Sequence, residues 1–191
     1  MLNKNWIIFG AVLSLVGISS YIFDTLKGEN KPHKISWGIW AMAPLIAFSA
    51  ELQEGVGLQS LMTFVAGFGP LLVFIASFFN KNAYWKIKNF DLVCGGFAII
   101  GLILWRITAV GNLAIFFSIL ADGLAAVPTI IKSYKFPETE TSTIFLLSGV
   151  NAFITILTIT VWNFENYAFP AYILFINTLL FVFIYFRKPI R

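Results

Sequence analysis

Asp122 is the only charge in the apolar stretch from residue 111 to residue 131, about eleven residues in. At ~1.5 Å per residue it falls near the middle of a ~30 Å hydrocarbon layer. A carboxylate there costs at least ~2.5 kcal/mol on insertion scales, so it must face the protein interior, be neutral, or be paired. Such a group can couple a proton or hold a substrate; an uncharged acid satisfied by serine or backbone does neither. Arg106 could reach toward it or snorkel out to headgroups. Asn177 and Asn151 lie within apolar runs, and an amide both donates and accepts, which suits a polyol as well as it suits helix-packing glue. Trp162, and Trp40 one helical turn after Trp37, offer flat rings for stacking, or serve as anchors and packing.

Other chemistry finds few groups. His33, the one histidine, has no cysteine or histidine beside it, so a solvated loop residue is expected and a metal is not. Glu138 and Glu140 beside Lys135 read as an ordinary loop with charge at a helix start. Cys94 has no disulfide partner. No set of histidine, cysteine and carboxylate shares one depth, which argues against an enzyme. The last apolar stretch has no lysine before Lys188 that could bind retinal. No cofactor is expected.

The elements that must carry these residues are membrane helices. Of 191 residues, 59% are hydrophobic, 12% charged and 21 are phenylalanine, and the mean hydropathy is +0.84. Much of that surface must face lipid. Seven runs of roughly 20 residues begin near Trp6, Ser36, Gly57, Asp91, Gly111, Thr143 and Phe169, and end near Phe23, Ala50, Phe79, Val110, Tyr134, Trp162 and Phe186. The second is the shortest. The fourth and fifth are parted only by Ala109 to Asn112, where Gly111-Asn112 can break a helix. No small-residue cleavage site follows the first run, which reads as a retained helix.

With seven spans, eleven of the thirteen basic residues share one side: Lys27, Lys31, Lys34, Lys81, Lys86, Lys88, Lys132, Lys135, Arg187, Lys188 and Arg191. Only Lys4 and Arg106 lie on the other. The basic side is then cytoplasmic and the N-terminus outside, in a multi-pass protein of the inner (cell) membrane.

The chain also repeats itself. At a separation of 105, Leu26-Lys27 pairs with Ile131-Lys132, Pro32 with Pro137, Ser36 with Thr141 and Ala47-Phe48 with Ala152-Phe153. After a two-residue insertion Phe68 pairs with Phe175, Leu72 with Leu179, Phe74 with Phe181 and Phe79 with Phe186. Each unit reads as a helix, a loop with lysine and proline, and a hydroxyl at the next N-cap. Repeat 1 spans 6–79 and repeat 2 spans 111–187. Because three spans are odd in number, the extra helix 91–110 is what lets the units run parallel.

On this duplication, and on the segment Ala125-Ala126-Val127-Pro128-Thr129-Ile130-Ile131-Lys132-Ser133-Tyr134, the chain resembles the PQ-loop and SWEET superfamily of small transporters. Thr129 stands where the family has glutamine, and Phe23-Asp24 where its first signature dipeptide falls. The resemblance implies an all-α integral membrane fold of seven transmembrane helices over residues 1–191, arranged as two parallel three-helix bundles joined by a linker helix (3+1+3). It implies Asn177 as the asparagine that holds a sugar hydroxyl, although its repeat mate is Pro70, with Asn151 supplying part of the lost symmetry. It implies Trp162 as the pocket tryptophan and Pro44 as a family proline, with Gly149 at the equivalent place.

The function expected is carriage of a small polar solute, sugar-like, an amino acid or a vitamin, by alternating access around a midplane site. Substrate-binding residues would be Asn177, Asn151, Trp162, Asp122 and Trp40. Pro128, Pro44 and Pro70 would act as hinges where a missing hydrogen bond permits bending, static kinks being the alternative. The partners expected are the lipid bilayer and the solute, with no nucleic acid and homo-oligomerisation left open. The alternative is a non-transporting seven-helix receptor or sorting protein resembling the KDEL receptors, which would want charge clustered on outer loops that offer Glu51, Glu54 and Glu165.

Overall fold

The computed structural model describes residues 2–80, 85–108 and 111–187. Among them are seven α-helices, α1 (Trp6–Lys27), α2 (Lys34–Gln53), α3 (Ser60–Ala76), α4 (Asn89–Thr108), α5 (Gly111–Lys135), α6 (Ser142–Thr158) and α7 (Phe164–Arg187), with a 3-10 turn at Pro137–Thr139 and no strand. Helices α1, α2, α5 and α7 are long and apolar enough to cross a membrane; α3 and α6 are apolar but have 17 residues each. The shortest helices are therefore α3 and α6 rather than α2. The break expected at Ala109 to Asn112 falls partly on residues outside the description, as does the side chain of Arg106.

The faces of α1 explain why lipid suits this chain. Its buried stripe, Gly10, Ala11, Ser14, Gly17, Ile18, Tyr21 and Thr25, recurs every three or four residues and is largely small or polar. Its outer face carries Phe9, Val12, Val16 and Phe23, each about half exposed. A helix in water would reverse that pattern, whereas helices in lipid bring small residues together and leave large ones outside. Phe175 and Phe186 on α7, and Phe97 and Ile103 on α4, continue the apolar exterior. It is far larger than the patches that soluble monomers expose, and compatible with membrane insertion.

Close approach needs small residues, and Gly10 marks one such point. A methyl group there would collide with the Asn151 side-chain oxygen and lie 3.2 Å from the Asn151 Cα. Helix α1 packs on α3 and α6, α2 on α3 and α5, and α7 on α5 and α6, while among the described residues the backbones of α1 and α2, and those of α5 and α6, do not pack closely. Exchanging α1, α2 and α3 for α5, α6 and α7 leaves this set of neighbours unchanged. Helix α4 stands outside the exchange, against α5 and part of α2. The repeat mates Ala47 and Ala152 are both fully buried, in one cluster with Met62, Ile115 and Phe169.

Contacts between helix ends fix which ends share a side. Asn80, after α3, bonds the Leu26 carbonyl near the end of α1. His33, before α2, meets Asp91 at the start of α4. Lys132, near the end of α5, pairs with Glu140 just before α6. The Arg187 guanidinium, ending α7, stacks 3.7 Å from the centre of the Tyr134 ring. The ends of α1, α3, α5 and α7 and the starts of α2, α4 and α6 thus lie together, and Lys27, Lys31, Lys34, Lys86, Lys88, Lys132, Lys135 and Arg187 all fall at this end.

Helix α6 ends four residues before the expected Trp162. The run Ile154-Thr155-Ile156-Leu157-Thr158-Ile159-Thr160-Val161 is rich in β-branched residues, which weaken a helix. The last carbonyls find partners elsewhere: Leu157 O accepts from the Leu2 amide at 3.0 Å, and Thr158 O from Gln59 Nε2 at 3.4 Å. Ile159 is then extended, with ψ 121°. Helix α7 starts at Phe164, five residues earlier than expected, with Pro170 inside it.

Candidate functional site

A cavity of about 60 Å³ lies inside the bundle, and every helix except α4 contributes to its wall. That is room for a few waters, each needing about 10–15 Å³. From α1 come Ser14 and Ile18, from α2 Trp37 and Trp40, from α3 Met62, Val65 and Pro70, from α5 Asp122, from α6 Phe145, Ser148 and Asn151, and from α7 Ile173, Ile176 and Asn177. Four of the five residues singled out as ligands, Asp122, Asn151, Asn177 and Trp40, share this one space, with Pro70 beside them. Pro44 and Pro128 are buried in α2 and α5 away from it, and all three helices run unbroken through their prolines.

Helix periodicity and cross-helix bonds set the orientations. Asp122 is 3% exposed, and its Oδ2 accepts from the Tyr172 hydroxyl at 2.6 Å, so α7 supplies the partner that a midplane carboxyl requires. The Trp40 indole donates to the Asp122 carbonyl at 3.2 Å. Four residues earlier on α2, the Ser36 hydroxyl donates to the Ala125 carbonyl at 2.6 Å. Trp37 and Trp40 meet edge to face with centroids 5.2 Å apart, and the Phe145 ring lies 6.4 Å from the first and 6.5 Å from the second. Asn177 donates to the Ile173 carbonyl one turn back, at 2.9 Å.

Among the described residues, three buried polar atoms of wall residues have no well-aligned hydrogen-bond partner: Ser14 Oγ, Trp37 Nε1, which interacts with the Tyr21 hydroxyl, and Asn151 Oδ1, which faces Gly10. An unmade bond at a buried polar group costs ~1–3 kcal/mol, and native proteins seldom leave three together unless water or a ligand completes them. Ser14 and Ser148 gave no signal in the sequence, because a serine in an apolar run fits packing equally well.

Trp162 does not join the site. It lies in the loop after α6, 61% exposed, with its ring 6.3 Å from that of Tyr167. The shorter α6 leaves it at the protein's edge, where an interfacial anchor belongs.

The basic end holds groups that the sequence placed in solvent. Glu140 is not an ordinary loop acid. It is fully buried, with Oε1 2.6 Å from Lys132 Nζ and Oε2 accepting from the Tyr21 hydroxyl at 2.5 Å. Lys132 also donates to the carbonyls of Lys31 and Thr139. Asp24 accepts from the Thr141 hydroxyl at 2.6 Å, and Asn30 joins Thr25 and Thr141. His33 is likewise not solvated. It is fully buried as the N-cap of α2, its Nδ1 accepting from the Ser36 amide at 3.4 Å. Its Nε2 lies 3.1 Å from Asp91 Oδ2 but off-line for a hydrogen bond. Burial pushes the His33 imidazole below its usual pKa despite the opposing pull of Asp91. At the opposite end Glu51 is not a loop residue. It is buried in α2 and accepts from the Thr63 hydroxyl at 3.0 Å.

Compared with known proteins, the chain matches no family model, no curated protein and no solved structure.

Proposed function

We propose that the chain is a multi-pass membrane carrier for a small polar solute, working by alternating access around the cavity that holds Asp122, Asn151 and Asn177. The observation that carries this reading is the cavity itself, placed among six helices and lined by Asp122, Asn151, Asn177 and Ser14, whose hydroxyl has no partner among the described residues. A structural core would fill such a space with apolar side chains or pair its polar groups.

The exchange of neighbours between α1–α3 and α5–α7 supports two three-helix units with α4 as the link. Two such units can rock about a site on their shared axis. At the basic end Tyr21, Lys132 and Glu140 tie α1, α5 and the segment before α6, an interlock that must part for solute to pass that way. Pro44, Pro70 and Pro128, each lacking one helix hydrogen bond, are where α2, α3 and α5 would bend. The gathering of basic residues at this end supports placing it on the cytoplasmic side of the inner membrane, with the N-terminus outside.

The receptor reading ranks second, because burial of Glu51 leaves only Glu54 and Glu165 of the three outer acids for a charged partner. Purified protein in liposomes, offered sugars, amino acids and vitamins, should move at least one solute with saturable kinetics. Binding of a peptide with no flux of any solute would favour the receptor instead.

A further inference from the structure

We infer that the solute carries a positive charge: the cavity takes a small organic ammonium compound, with Asp122 as its counter-ion and the rings of Trp37, Trp40 and Phe145 as its wall. This rests on the carrier reading and gives it a substrate class. Among the described residues Asp122 is the one acidic or basic side chain lining the cavity. Among the described residues only Tyr172 donates a hydrogen bond to its carboxyl group. A carboxylate so buried is stable when a cation completes it, and a neutral sugar would leave its charge uncompensated.

The surroundings fit an ammonium group. The Trp40 ring is anchored to the Asp122 backbone through its indole nitrogen, which holds the ring beside the acid, and Trp37 and Phe145 extend the aromatic surface. Aromatic faces attract a desolvated cation. The Ser14 Oγ, without a partner among the described residues, can accept an ammonium N–H. A bare metal cation fits poorly. A divalent ion would want more than the single carboxylate that the wall supplies to balance its charge.

Matched pairs differing only in charge test this: ethanolamine against ethylene glycol, and 4-aminobutanol against 1,4-butanediol. Each is scored for thermal stabilisation of the purified protein and for uptake into proteoliposomes, with sodium and potassium chloride as further arms. The amine of a pair should stabilise the protein and enter the vesicles while its diol does neither. Asp122→Asn, which keeps an acceptor for Tyr172, should weaken amine binding about tenfold or more. The wild-type pairs decide the matter even if that variant fails to fold. Stabilisation by alkali cations alone overturns the ammonium assignment, as does flux of neutral polyols without amines, which leaves the carrier standing. Amine binding without flux of any solute keeps the ammonium site and removes the carrier.

Discussion

Replacing Lys132 by methionine is the sharpest perturbation of the basic end. The Lys132 and Glu140 side chains are 1% and 0% exposed, with their charged atoms 2.6 Å apart. Methionine keeps most of the lysine stem's volume and removes the ammonium, while Glu140 stays buried and still accepts from the Tyr21 hydroxyl. Breaking a buried pair in this way costs about 3–5 kcal/mol, because the surviving carboxylate loses its buried counter-charge. For a protein of this size each kcal/mol moves Tm by about 2–4 °C, so a fall of about 6–20 °C is expected. The assay is thermal unfolding in one detergent at fixed pH and protein concentration. Adding Glu140→Gln, which removes the buried carboxylate charge but keeps an acceptor for Tyr21, should recover a good part of the loss, a coupling of about 1–3 kcal/mol. A single variant within about 2 °C of wild type, or a double variant whose losses simply add, would refute the buried interlock.

Three further predictions concern other regions. His33 binds protons less readily folded than unfolded, so its contribution to stability is full above about pH 6.5 and is lost as pH falls through the lowered folded value. Melting from pH 8 to pH 5 should therefore show an acid-side loss that His33→Gln flattens. Asp91, Lys132 and Glu140 are the charges acting on that site, and an unchanged pH profile would show that His33 does not control it. Gly10→Ala should cost about 1–3 kcal/mol by forcing α1 from Asn151, whereas Gly96→Ala meets nothing within 4 Å and should be neutral or slightly stabilising; equal effects in melting curves would contradict the packing described. Trp162→Ala should leave solute affinity unchanged in binding titrations, while Trp37→Phe weakens it, and the opposite ranking would return Trp162 to the site.

Much of the architecture was readable in the chain because each helix break carries its own chemistry: Gly28 and Pro32 after α1, Pro137 before α6, polar residues elsewhere. The polar residues of the cavity were visible for the same reason, since Asp122, Asn151 and Asn177 interrupt apolar runs and must face inward. What stayed hidden is pairing. Lys132 reads as one more cytoplasmic charge until Glu140, eight residues on, folds back over the turn at Pro137–Thr139. His33 reads as solvated until Asp91, far along the chain, covers it. Trp162 misleads for a different reason: hydropathy continues past Thr158, but β-branched residues and borrowed hydrogen bonds end the helix there. Apolar content marks where a segment can lie, and backbone partners decide where its helix stops.

Alternating access is tested most directly at Ser148, which lines the cavity on α6. With Cys94→Ala to remove the native thiol, Ser148→Cys in oriented vesicles is treated with a membrane-impermeant thiol reagent from one face and then, separately, from the other. A carrier predicts modification from both faces and protection by transported solute. Modification from one face only, with or without solute, would contradict it.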